Sequence, residues 1–164
     1  MRLTPLLRLR RFGIFISLKH MANSSAPRLV LFRVGSVLLA APASVVREVV
    51  AAGPTTRIPG TAGAVSGLVN LRGTLLTVVD GRRALGIADN GAGPESLLVV
   101  EQDGRVYGLA VDAVLDLIDA SPEDLVPGAA PAGLDARFVR GLGRHAGRSY
   151  AVLDTEAVLA PALG

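Results

Sequence analysis

The sequence predicts an all-β fold built as two small barrels of one kind, and three observations predict it. Nineteen Gly and ten Pro in 164 residues break the chain often, which favours short strands and tight turns over long helices. Short apolar runs recur on either side of turn dipeptides such as Gly35-Ser36, Arg72-Gly73 and Asp103-Gly104. The chain also repeats itself. Setting Gly35 on Gly104 aligns "GSVLLAAPASVV" with "GRVYGLAVDAVL", and setting Gly67 on Gly141 brings Gly73 onto Gly147 and Asp80 onto Asp154. Half of the residues are hydrophobic but few are aromatic, so Val, Leu and Ala must fill the core.

The elements follow in order. "LVLFRV" (29–34) and "VLLAA" (37–41) form a hairpin about Gly35-Ser36. "ASVVREVV" (43–50) reads as two helical turns, with Val45, Val46, Val49 and Val50 on one face. "VSGLVNL" (65–71) and "TLLTVVD" (74–80) bracket Arg72-Gly73 as a second hairpin, and "RRALGI" (82–87) is a short turn or helix. After the loop 88–95, "SLLVVEQ" and "RVYGLAVD" form a hairpin about Asp103-Gly104, and "AVLDLID" (113–119) stands where the first half has "SVVREVV". "ASPEDLVP" (120–127) predicts a short helix with Ser121 as N-cap and Pro122 at its first position. "DTEAVLA" predicts a final helix over 155–160, capped by Asp154. The expected units are a leader 1–27, a first barrel 28–87, a second barrel 96–154 and the closing helix, the last three within one domain, 28–164.

The basic net charge belongs to the leader. Residues 1–20 hold Arg2, Arg8, Arg10, Arg11 and Lys19 with no acid, and without them 21–164 is formally −2. A nucleic-acid footprint needs basic residues gathered on the folded part, and no such cluster occurs there. The leader's longest apolar run, 12–18, is far shorter than the about 20 residues a membrane span requires. It has a basic start but no small-residue cleavage site, so it makes a poor signal peptide, and a basic amphipathic surface anchor is a second possibility. The preferred reading takes Met21 as the true start, residues 1–20 as an over-extended gene call and 22–27 as a disordered lead-in. No cysteine is present, which excludes disulfides and thiol catalysis and fits a reducing compartment.

Catalytic signals are weak. His145 stands in "GRHAGR" with no acid near it in sequence and reads as a polar turn residue. "GLGRHA" (141–146) matches a dinucleotide fingerprint in letters, but a strand-like run follows where that fingerprint needs a helix. Asp112, Asp116 and Asp119 would share a face only at helical spacing. The simpler reading has Asp112 ending a strand and the others solvated. No nucleophile–base pair and no metal-ligand cluster can be assembled, so the chain reads as a binding protein without cofactor or metal.

One stretch carries more. "GLVNLRGTLLTVVD" (67–80), with "VVREVV" upstream, "YGLAVDAVLDLI" downstream and "GLG" (141–143) before the last strand, resembles the CheW family of bacterial chemotaxis adaptors. The shared residues are Gly67, Asn70, Leu71, Arg72, Gly73, Leu75, Leu76, Val78, Val79, Asp80, Gly141, Leu142 and Gly143. Thr77 departs from the usual Pro and should preserve the strand; Gly81 departs from Leu or Phe and is expected to loosen the exit toward "RRALGI". The resemblance implies two SH3-like five-stranded β-barrel subdomains with short helical inserts and a short C-terminal helix, and no enzymatic activity. It implies two partners, the cytoplasmic tip of a chemoreceptor (a methyl-accepting chemotaxis protein) and the regulatory domain of a CheA-type histidine kinase. It further implies a cytoplasmic protein recruited to membrane-associated receptor arrays, without nucleic-acid binding or direct membrane insertion, in flagellar chemotaxis or in a non-flagellar array. By position Val46, Glu48 and Arg72 match residues tied to a receptor groove between the barrels, and Gly108, Val114 and Leu117 match less closely. Arg72 and Glu48 are expected to form an ion pair there, Arg72 offering a planar fork that Lys lacks.

Overall fold

The computed structural model describes residues 16–17, 28–61, 63–120, 125–127 and 130–163. In chain order the strands are β1 (Ile16–Ser17), β2 (Arg28–Val34), β3 (Val37–Pro42), β4 (Val46–Ala51), β5 (Val65–Leu71) and β6 (Thr74–Asp80). They continue as β7 (Ser96–Gln102), β8 (Arg105–Val111), β9 (Ala113–Asp119), β10 (Val139–His145) and β11 (Arg148–Leu153). Helix α1 (Gly81–Leu85) follows β6, a 3-10 turn (Ala136–Phe138) precedes β10, and helix α2 (Thr155–Leu163) follows β11.

Two five-stranded sheets form the body, one per subdomain. The first runs β4-β7-β8-β6-β5, with β1 added outside β4, and the second runs β9-β2-β3-β11-β10. The repeat seen in sequence is real at the level of pairing. β5 slips register against β6 between Val65 and Gly67, and β10 slips against β11 between Val139 and Gly141, the aligned positions. Each outer hairpin strand then receives an isolated bridge at the next residue, Thr56 to Leu68 and Val126 to Leu142. A Cβ on Gly67 would run into the Thr56 carbonyl, and one on Gly141 would stand 3.3 Å from the Val126 carbonyl. These two glycines admit a crossing backbone.

The subdomain boundaries differ from the expected 28–87 and 96–154. Hairpin β2–β3 pairs with β9 from the second half, and hairpin β7–β8 pairs with β4 from the first. The halves exchange hairpins, so each sheet draws strands from both. A sequence repeat aligns like with like; it carries no information on which copy of a strand pairs with which.

The exchange explains the unbroken apolar runs. Val30, Phe32 and Val34 of β2 face a core common to both sheets, whereas Leu29 and Leu31 face a second core within their own sheet. In β7, Leu98 and Val100 belong to the common core and Leu97 to a small core of the first sheet. Strands buried on both faces lose the polar alternation of a half-exposed sheet.

Residues 43–50, expected as helical turns, contribute β4 instead. A bulge between Val46 and Glu48 brings Val46 and Val49 onto the same side, both in the common core. That one extra residue imitates helical spacing. Residues 113–119 are likewise strand, so the helical alignment of Asp112, Asp116 and Asp119 does not arise. Of the helix expected at 120–127, residues 121–124 lie outside those described, and Val126 makes the bridge to β10. Helix α2 begins as expected, with the Ala157 N–H donating to Asp154 at 3.2 Å, but runs on through Pro161. Val158 and Leu159 anchor it in the common core.

Gly81 does not loosen the exit from β6. It opens α1, where Asp80 accepts from the Arg83 N–H at 3.1 Å, and it is buried. A Cβ there would stand 2.7 Å from the Ala110 carbonyl and 3.3 Å from Val34. The small residue lets α1 seat directly on β8. Gly81→Leu, which restores the usual family residue type, should therefore destabilise the chain by about 1–3 kcal/mol, measured by urea unfolding. An unchanged midpoint would contradict this packing.

Candidate functional site: the seam of the first sheet

Arg72 sits at the first central position of the β5–β6 turn with φ 50, followed by Gly73 at φ 84. A tight two-residue hairpin of this hand needs positive φ at both positions. For an L-residue with a long side chain that conformation is unfavourable by roughly 1–2 kcal/mol. Asn70 offsets part of this, its Oδ1 accepting from the Gly73 N–H at 2.8 Å. Asn70 thus serves the turn, and Arg72 occupies a place where Gly or Asn would be easier on the backbone.

The Arg72 Nη2 lies 2.5 Å from the Glu48 Oε1. The expected pair is formed, but within the first sheet and not in a groove between the barrels: it joins the two ends of the sheet order, Glu48 on β4 and Arg72 between β5 and β6. The first sheet is therefore rolled until its ends meet along a seam. The pair is uneven, the Arg72 side chain being 57% exposed and that of Glu48 10%. Arg47 also lines the site and pairs with Glu101 at 2.5 Å, which places two ion pairs side by side. Consecutive residues can share this depression because the β4 bulge interrupts strict alternation. Its floor takes one residue from each other strand of the sheet: Leu71, Leu76, Val99 and Val106.

The remaining sequence-named residues divide. Val46 and Val114 belong to the common core, and Leu117 packs partly against it. Gly108 is buried on β8, where a Cβ would stand 2.8 Å from Leu97. Val114 and Leu117 lie on β9, in the other sheet. The seam gathers Glu48 and Arg72 on a single sheet, and the other four stand apart from it. Gly143, from the closing motif, makes room for the Tyr150 ring.

Three features escaped the sequence reading. Leu75 stands 64% exposed on the outer face of the β5–β6 hairpin, a large apolar side chain in water beside the turn. The second sheet holds a polar contact at the equivalent place. Asp116 follows the bulge of β9 as Glu48 follows that of β4, and His145 next to the β10–β11 turn places Nε2 3.6 Å from it. Finally, Arg82 and Asp112 form a buried pair between the subdomains. Arg82 Nη2 donates to Asp112 at 2.8 Å and Nε at 3.2 Å, and the Gly35 N–H donates to the same carboxylate. Arg82 also donates to Asp89 at 3.4 Å and to Asn90. The Asp112 hydrogen bond raises the Arg82 pKa above its ordinary value against the opposing effect of burial, so the guanidinium stays charged. Nothing in the sequence marked the two as partners; they are 30 residues apart.

Among the described residues no group of three or more His, Asp and Glu side chains could hold a metal ion, and no helix is long and apolar enough to cross a membrane. An all-β body with a rolled sheet, an ion pair at its seam and an exposed leucine beside it is the arrangement of a binding module. The comparisons with known proteins give the particular family. The profile of the CheW-like domain matches residues 28–162, and the chain belongs to that family. It is 32% identical over 142 residues to the chemotaxis protein CheW of Rhizobium meliloti (strain 1021), covering 85% of this chain and 91% of that one. It is 36% identical over 113 residues to protein FrzA of Myxococcus xanthus, covering 68% and 69%. The crystal structure of the scaffolding protein TtCheW from Thermoanaerobacter tengcongensis superposes with a TM-score of 0.75 at 26% identity, covering 84% of this chain and 90% of that one.

Proposed function

We propose that this chain is a non-enzymatic signal-transduction adaptor of bacterial chemotaxis, linking chemoreceptor cytoplasmic tips to a CheA-type histidine kinase. The observation that carries the reading is the Arg72–Glu48 seam in a chain of the CheW-like family. The receptor tip, a helical hairpin, docks at the seam. Arg72 presents its exposed guanidinium to an acceptor on the tip, while Glu48 holds the side chain in place from beneath. The regulatory domain of the kinase docks on other barrel surface, so that one adaptor holds both partners at once. The protein works in the cytoplasm and joins membrane-associated arrays through these contacts.

A pull-down of the full chain with the organism's receptor-tip fragment and with the kinase regulatory domain tests this. Retention of both is expected, and retention of neither would overturn it. The identity to FrzA, a relative not named CheW, favours a second reading in which the same scaffold serves a non-flagellar array. Deletion of the gene separates the two: loss of swimming chemotaxis supports the first, and loss of surface motility alone supports the second.

A further inference from the structure

β4 would be an edge strand of the first sheet but for β1, which pairs antiparallel with it, Ile16 opposite Val49 and Ser17 opposite Glu48. An edge strand presents unpaired N–H and C=O groups that another extended segment can complete. The segment that does so belongs to the leader, whose residues 1–20 the sequence alone favoured as an over-extended gene call. Its sequence carries Arg8, Arg10, Arg11 and Lys19 and no acid, and the strand it meets places Glu48, beside Arg47, opposite Ser17. The pairing falls on the residue that anchors Arg72. One strand spacing, about 4.8 Å, separates the docked backbone from that of Glu48.

We propose that the outer edge of β4 is a strand-accepting surface that the chain's own Ile16–Ser17 segment occupies, and that this segment competes in cis with a partner docking at the Arg72–Glu48 seam. The competitive half rests on the function proposed above; the docking half does not. A segment docked nine-tenths of the time would weaken partner binding about tenfold, because only the open fraction is competent. The Ile16–Ser17 segment thereby acts as a built-in brake on recruitment.

The test compares the full chain with the Ile16→Pro/Ser17→Pro variant, which removes both backbone donors of the segment. Hydrogen exchange of the β4 amides is read first. The variant should exchange at outward-facing β4 amides about tenfold faster or more, with the rest of the fold unchanged. Equal exchange in the two proteins would overturn the docking. Affinity for the receptor-tip fragment is read second and should rise about tenfold in the variant. Faster exchange with unchanged affinity would overturn the competition while leaving the docking in place. Faster exchange with no tip binding by either protein would instead overturn the receptor-adaptor reading.

Discussion

Asp112→Ala should lower the melting temperature by roughly 10 °C, the largest stability loss expected of any single polar substitution in this chain. The Asp112 carboxylate accepts from Arg82 Nε and Nη2 and from the Gly35 N–H, and Arg33 Nη1 stands 3.8 Å away. Its removal leaves the Arg82 guanidinium, itself only 9% exposed, without its principal counter-charge. Breaking one side of such a pair typically destabilises by about 3–5 kcal/mol, because the surviving charge stays buried. The double variant Arg82→Met/Asp112→Leu should recover more than half of the loss, since well-packed apolar residues often replace a buried pair at little penalty. Differential scanning calorimetry of the three proteins reads both effects. A shift below about 3 °C for Asp112→Ala would show that the pair contributes no more than a surface one. The network ties the β2–β3 turn of one sheet to α1 and the β8–β9 junction beside the other, so the loss should be cooperative across the molecule.

Arg72→Glu should reduce receptor-tip binding at least thirtyfold, about 2 kcal/mol or more, the scale of a partner-contact hot spot. The expected effect on stability is small by comparison. Arg72 is more than half exposed, and such pairs contribute only about 0–1 kcal/mol. The contrast between the two effects is diagnostic. Isothermal titration should show lost affinity, while the melting temperature falls by only about 2–4 °C. Arg72→Lys should keep the charge and the fold but recover little binding, because an ammonium cannot offer two parallel donors. Full binding by Arg72→Glu would remove the seam from the interface.

Much of this was legible in the residues, for identifiable reasons. The hairpins announced themselves through Gly35, Gly73 and Gly104 at tight turns, and the Gly67/Gly141 alignment located two equivalent bulges. The Arg72–Glu48 pair was legible because few other charges lie in those segments and the family motif singled them out. What escaped depends on long-range pairing. The β4 bulge gave a strand the spacing of a helix. No local signature marks the pairing of Arg82 with Asp112, because it arises only when α1 and the β8–β9 junction are brought together. Val46, Gly108 and Val114 show the opposite limit: a motif match names a position but not whether its side chain reaches the surface. Burial turns these three toward packing.

The exchange of hairpins also has a consequence for synthesis. On the ribosome, β2–β3 emerges early, yet its sheet partners β9, β10 and β11 extend to Leu153, near the other end of the chain. At translation rates of about 5–20 residues per second, the hairpin waits roughly 5–20 s with both apolar faces exposed. The first sheet can assemble sooner, once β8 has emerged. Ribosome-bound chains ending after Val111 should therefore contain a protease-resistant first sheet and a cleavable β2–β3 hairpin. A nascent chain of this family is a natural client for a co-translational holdase during that interval, and the order of emergence gives the seam-bearing subdomain the head start.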